Sequence, residues 1–271
     1  MSRVTDARPI GMFDSGFGGL TVARAVIDLL PDEDVVYVGD TGRYPYGPRR
    51  LDDVRGFAHE IAKFLIDEHE AKLIVIACNN AAAAALEDLQ SSAAVPVIGV
   101  IEPGVRSLIT ATRSGRVGVI ATAGTVASGA YQRAVESTGA AVELTCAACP
   151  GFVEFVERGE THSDQVHVLA ERLLAPVRAA DVDTLLLGCT HYPYLARTIT
   201  DVMGRDVVLV SSADETAFDV RERLLGSDLA AEPGRVTMHH FFSSGDTTSF
   251  SAVGGRLFGP ELAHAETVPW A

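Results

Sequence analysis

Apolar runs of strand length alternate with stretches of helical period along almost the whole chain. This pattern restricts the fold more than any other feature of the 271 residues. The runs are PIGMF (9–13), VVYVG (35–39), LIVIA (73–77), VPVIGVI (95–101), RVGVIA (116–121), AVELT (141–145), TLLLG (184–188) and VVLV (207–210). Most are apolar at every position, which suits strands covered on both faces, as in parallel sheets. Between them lie helical stretches at 20–30, 53–69 and 163–180; in the last, Val166, Leu169, Leu173 and Val177 mark one face. Alternating strand and helix predicts an α/β fold. About ten such units exceed what a small sheet holds, so the expectation is two doubly wound lobes with mainly parallel sheets, facing each other across a cleft. The strand-and-turn pattern of RVTMHHFFSSGD (235–246) must rejoin one of the lobes.

Composition narrows the function classes. With 36 acidic and 22 basic residues the formal charge is −14. Such a field repels phosphate backbones, and no basic cluster offsets it, so direct nucleic-acid binding is not expected. No apolar run approaches the length of a membrane span. The start MSRVTDARPIG has no apolar segment of a secretory signal. A cytoplasmic setting is therefore expected, where thiols stay reduced, and Cys78, Cys146, Cys149 and Cys189 are packing, metal or catalytic residues rather than bridges.

Two of these thiols occupy equivalent places. LIVIACNNA (73–81) and LLLGCTHYPY (185–194) each end an apolar strand in a small residue, then cysteine, then polar residues opening a helix. Ligand sites of open α/β sheets form beyond the carboxyl ends of strands, where a helix N-terminus favours thiolate. Asn79, Asn80, Thr190 and His191 add donors suited to a carboxylate. One such cysteine is ordinarily a packing residue; two in matching places suggest chemistry. Taking a proton from one face of an sp³ carbon and returning one to the other face needs two opposed acid–base groups of similar proton affinity. Racemisation through pyridoxal phosphate would need a lysine, but Lys63 lies in a helical stretch and Lys72 just before a strand. No cofactor and no metal are expected.

Other signals carry less. The glycines of DSGFGG (14–19) miss the G-x-G-x-x-G spacing and suit a turn that brings backbone N–H groups to a small carboxylate. Cys146-Ala-Ala-Cys149 is a lone C-x-x-C without a second ligand pair. His239-His240 falls in a strand-like stretch. Tyr44 and Tyr46, each beside a proline or glycine, suit a turn.

The motifs FDSGFGGLTV (13–22), YVGDTGRYPYG (37–47), IACNNA (76–81), CPGFVEFVERG (149–159), LLLGCTHYP (185–193) and SSADETA (211–217) resemble those of the glutamate racemases. These are cofactor-independent enzymes of the aspartate/glutamate racemase superfamily that supply D-glutamate for bacterial cell walls. The resemblance implies that Cys78 and Cys189 are the two acid–base thiols, Asp14 assists Cys78, and His191 and Glu157 assist Cys189. It further implies that Asp14, Ser15, Tyr46, Gly47, Asn79, Asn80, Thr122, Thr125, Thr190 and His191 bind substrate. Two lobes are implied, 1–100 with 210–271 and 101–209, as is a homodimer. For some actinobacterial members it adds a contact with DNA gyrase, which the residues of this chain leave open. The chain departs from the family pattern at Asn80, usually threonine or serine, and at Ala82, usually a hydroxyl residue. Related decarboxylases keep one of the two thiols, so the pair argues against them. A protein that binds an amino acid without turning it over is the alternative from another class.

Overall fold

The computed structural model describes residues 5–259 and 261–270; the expected first lobe also includes residues 1–4, 260 and 271, which lie outside them. The strands are β1 (Ile10–Asp14), β2 (Val35–Gly39), β3 (Leu73–Ile76), β4 (Val97–Gly99), β5 (Arg116–Ala121), β6 (Glu143–Ala148), β7 (Thr184–Gly188), β8 (Val208–Val210), β9 (His239–Ser243) and β10 (Glu266–Thr267). They form two all-parallel sheets, β10-β9-β2-β1-β3-β4 and β6-β5-β7-β8. β1, β2, β3 and β7 are buried at every residue, which is why they read as unbroken apolar runs.

The two sheets share one topology. The order β2-β1-β3-β4 in the first repeats as β6-β5-β7-β8 in the second. In each, chain direction reverses between the first strand and the third, and the crevice at that switch point is where ligands bind. Cys78 follows β3 and Cys189 follows β7, each the third strand of its unit.

The C-terminal part joins the first sheet. β9 pairs with β2 from Val35↔His239 to Gly39↔Ser243, and β10 adds an edge. Phe250, from the helix Thr247–Leu257, is fully buried against Gly39 and stacks on Phe17 at 5.4 Å. The glycine loop after β1 therefore rests on the far end of the chain.

Three expected elements differ in detail. The stretch 163–180 is two helices, Asp164–Leu173 and Ala175–Ala179, because Pro176 lacks the N–H that a continuous helix needs. Its buried face is Val166, Ala170, Leu174 and Val177, so Leu169 and Leu173 sit at the margin, half-buried. The run at 95–101 is a strand only over Val97–Gly99, since Ile101 opens the helix Ile101–Ala111. β6 begins at Glu143 and continues through Cys146 to Ala148, small residues that carry no apolar signal yet pair with β5.

Both lysines are engaged away from the sheet ends that carry the cysteines. Lys63 pairs with Asp67 on the surface. Lys72 is wholly buried, its Nζ donating to Glu33 Oε2 at 2.5 Å and to the Asp6 carbonyl at 2.6 Å. The other Glu33 oxygen accepts from the Ala231 N–H at 2.8 Å, so one ion pair fastens four chain segments. Lys72→Met would leave Glu33 charged and unmatched in the core, an expected loss of about 3–5 kcal/mol. Urea unfolding measures this; an unchanged midpoint would contradict it. Among the described residues no helix is long and apolar enough to cross a membrane.

Candidate active site

β1 brings Asp14 to the carboxyl edge of the first sheet, next to the chain leaving β3, where the Ala77 N–H donates to the Phe13 carbonyl. The next residue, Cys78, is extended (φ −139°, ψ 121°) and caps the helix Asn79–Ser92. In the second sheet Ala121, Ala148 and Gly188 lie in register, so Thr122, Cys149 and Cys189 emerge side by side. Both sets of residues open onto one cavity of about 160 Å³, lined by Cys78 from one sheet and Cys189 from the other. That is below the roughly 300–1,000 Å³ of drug-sized sites and suits a small molecule.

Of the residues expected at the site, Asp14, Ser15, Tyr46, Gly47, Cys78, Asn79, Asn80, Thr122, Cys189, Thr190 and His191 line this cavity. Thr125 and Glu157 do not; each lies one layer behind. The Thr122 and Thr125 hydroxyls donate to Asn80 Oδ1 at 2.8 and 3.0 Å. Asn80, where the family pattern has a hydroxyl residue, thus joins the helix after Cys78 to the loop after β5. Its neighbour Asn79 donates from Nδ2 to the Tyr131 hydroxyl at 2.7 Å, and its Oδ1 is buried without a partner. The Tyr46 hydroxyl donates to the buried carboxylate of Asp40, leaving its ring to form the wall.

The glycine loop acts first on Asp14. The Gly19 N–H donates to Asp14 Oδ2 at 2.7 Å, so the carboxylate it cradles is the protein's own. Gly18 is where the loop meets the second sheet: a Cβ there would lie 2.3 Å from Thr190 Oγ1 and 2.5 Å from His191 Nδ1.

The surroundings of the two thiols differ. Burial, and then the charge of Asp14, push the Cys78 thiol well above its ordinary pKa, although the Ala81 and Ser15 N–H groups pull it down. Burial and Asp14 thus outweigh the helix N-terminus expected to favour thiolate at Cys78. Cys189 does not open an α-helix directly; a 3₁₀ turn, Tyr192–Leu195, precedes the helix Ala196–Met203. Its partner is His191, whose Nδ1 is 4.0 Å from the sulfur and whose Nε2 is 3.3 Å from Glu157 Oε1. Burial disfavours the imidazolium, but hydrogen bonds to Cys189 and Glu157 and the charges of Cys189 and Asp14 outweigh it, raising His191 from 6.5 to about 10.

A pKa raised on folding means that the protonated ring favours the folded state. That contribution is complete below pH 6.5, fades as pH rises, and is lost through about 10. An NMR titration of the His191 ring is expected to show it still protonated at pH 8, the value expected to fail if it titrates like a free imidazole.

Tyr44, which reads as a turn residue, and Cys149, Val153 and Glu154, which are not among the expected wall residues, also line the cavity. Their motifs, YPYG and CPGFVE, were visible; the fold that turns them inward was not. All four cysteines are free. Cys146 pairs within β6 opposite Val119, and His239 and His240 sit in β9. Among the described residues no three His, Cys, Asp or Glu side chains cluster as metal ligands.

Residues 20–217 match the model of the Asp/Glu/hydantoin racemase family. The glutamate racemase of Parafrankia sp. is 49% identical over 264 residues, covering 97% of this chain and 95% of its own. A Bacillus anthracis glutamate racemase superposes with a TM-score of 0.89 at 39% identity, with 96% of each chain covered. The Francisella tularensis glutamate racemase, solved in complex with D-glutamate, gives 0.88 at 33% identity, with 97% of each chain covered.

Proposed function

The chain belongs to the Asp/Glu/hydantoin racemase family, and we propose that Cys78 and Cys189 are the two acid–base groups with which it inverts the α-carbon of glutamate. Its activity is that of a glutamate racemase, an isomerase that supplies D-glutamate for peptidoglycan. The observation that carries the assignment of the thiols is that one cysteine from each sheet lines the same small cavity.

The reaction then runs as a transfer between faces. One cysteine, as thiolate, takes the Cα proton and becomes a thiol; the electron pair left on carbon is delocalised into the α-carboxylate. The opposite thiol gives its proton to the other face and becomes the thiolate. One proton leaves, one arrives, and the next turnover starts from the mirror arrangement. Asp14 assists at Cys78 and His191, backed by Glu157, at Cys189. Donors at Asn79, Thr190 and the N-terminus of the helix after Cys78 suit the α-carboxylate. The unpartnered Asn79 Oδ1 suits the ammonium group. Ser15, Tyr46, Gly47, Asn80 and Thr122 complete the walls, with Thr125 holding Asn80 in place.

The chemistry requires the substrate to be held between the lobes 1–100 with 210–271 and 101–209; the first sheet falls in the first of these ranges and the second in the other, except for Val210 at the end of β8. A cytoplasmic homodimer is the assembly in which we place the enzyme. Incubating pure protein with L-glutamate in heavy water tests the reading. Optical rotation should fall to zero while deuterium enters Cα without added cofactor; bound glutamate with unchanged rotation would refute it. Aspartate under the same conditions tests substrate choice.

A further inference from the structure

No step of the two-base reaction uses Tyr44. It belongs to the loop after β2, yet its ring lies 6.3 Å from that of His191, tilted by 36°. A Cβ on Gly16 would touch that ring at 3.2 Å, so the glycine loop packs closely against it. The Tyr44 hydroxyl is shut off from solvent and has no hydrogen-bond partner. Burial, and then the charge of Glu157, raise its pKa well above that of a free phenol. It is therefore a protonated donor in a site where an unpaired donor is unfavourable.

The groups around it narrow what it can donate to. Its titratable neighbours are Glu157 and Glu154, from the helix Phe152–Glu157, together with Cys189 and Tyr192, and His191 lies beside its ring. Of the two carboxylates, only Glu157 is already bonded to His191. We propose that Tyr44 is a positioning residue whose hydroxyl donates to Glu157, so that the first lobe steadies the Glu157–His191–Cys189 chain of the second. A side-chain rotation completes the bond. The two halves of the site then differ in kind: Cys78 has its assistant on its own sheet, whereas Cys189 is fully supported only when the lobes are together.

The inference rests on the racemase reading for Cys189 as a reacting thiol, but its test does not need turnover. Tyr44→Phe keeps the ring over His191 and removes only the hydroxyl. Iodoacetamide labelling at neutral pH, followed for each cysteine by mass spectrometry, should slow at Cys189 by about threefold or more in Tyr44→Phe, with Cys78 unchanged. In a Glu157→Ala background the same change should have no further effect, because coupled partners are non-additive. kcat should fall by about tenfold with KM altered less than twofold, as for loss of an orienting partner. Wild-type labelling of Cys189 in Tyr44→Phe would overturn the proposal. So would an equal loss in both backgrounds, which would mark a packing role. A wild-type protein that fails to racemise would refute the racemase reading alone, since the labelling arms still report on Tyr44.

Discussion

Cys189→Ala is expected to lower glutamate racemisation by at least ~10³-fold, the upper part of the range for losing an acid–base group, without unfolding the protein. Cys78→Ala should do the same. The two enantiomers have equal free energy in water, so kcat/KM must be equal in the two directions for every variant that still turns over. A one-sided loss is therefore not visible in net racemisation. It is visible in isotope exchange: a thiol left alone on one face can remove a proton and return a deuteron to the same face. Each single variant is expected to exchange the Cα hydrogen of one enantiomer with retention, and the two variants should select opposite enantiomers. Side-chain volume is not in question, since alanine leaves only a small void beside an open cavity. Racemisation near the wild-type rate in Cys189→Ala would remove the two-base scheme altogether.

How much of this was legible beforehand depends on which forces act locally. β1, β2, β3, β5 and β7 could be read because strands covered on both faces must be apolar throughout. The edge strand β10, two exposed residues, has no such signature. That β9 would pair with β2, some 200 residues earlier in the chain, is decided by tertiary packing of Phe241, Phe242 and Phe250 and by no local pattern. The thiols were legible because strand-end cysteines followed by polar residues occur twice. What stayed hidden were the contacts from one lobe to the other. Asn80 reads locally as a donor suited to a carboxylate, and its bonds to Thr122 and Thr125 depend on a loop from the other sheet. The C-x-x-C pair reads first as two packing thiols, with metal or redox chemistry the weaker readings, and only the end of β6 turns Cys149 into the cavity.

The interlobe contact at Gly18 gives the second large effect. Gly18→Ala would place a methyl carbon 2.3 Å from Thr190 Oγ1, 2.5 Å from His191 Nδ1 and 2.8 Å from His191 Cε1. Contacts that short are not sustained, and neither neighbour yields easily. Thr190 is β-branched and buried, and His191 is held by Glu157 behind it. The remaining freedom is for the second lobe to retreat, carrying Cys189 away from Cys78. Proton transfer to a carbon held between two fixed groups depends steeply on that gap, and a shift of about 1 Å is enough to cost roughly 10²-fold in kcat. Gly18→Ala is therefore expected to fold normally and lose about two orders of magnitude in activity. Gly56→Ala, with no atom within 4 Å of the added carbon, should leave activity unchanged and raise stability by about 0.5–1 kcal/mol. Activity of Gly18→Ala within twofold of wild type would mean that the loop and the second lobe are not pressed together when the reaction occurs.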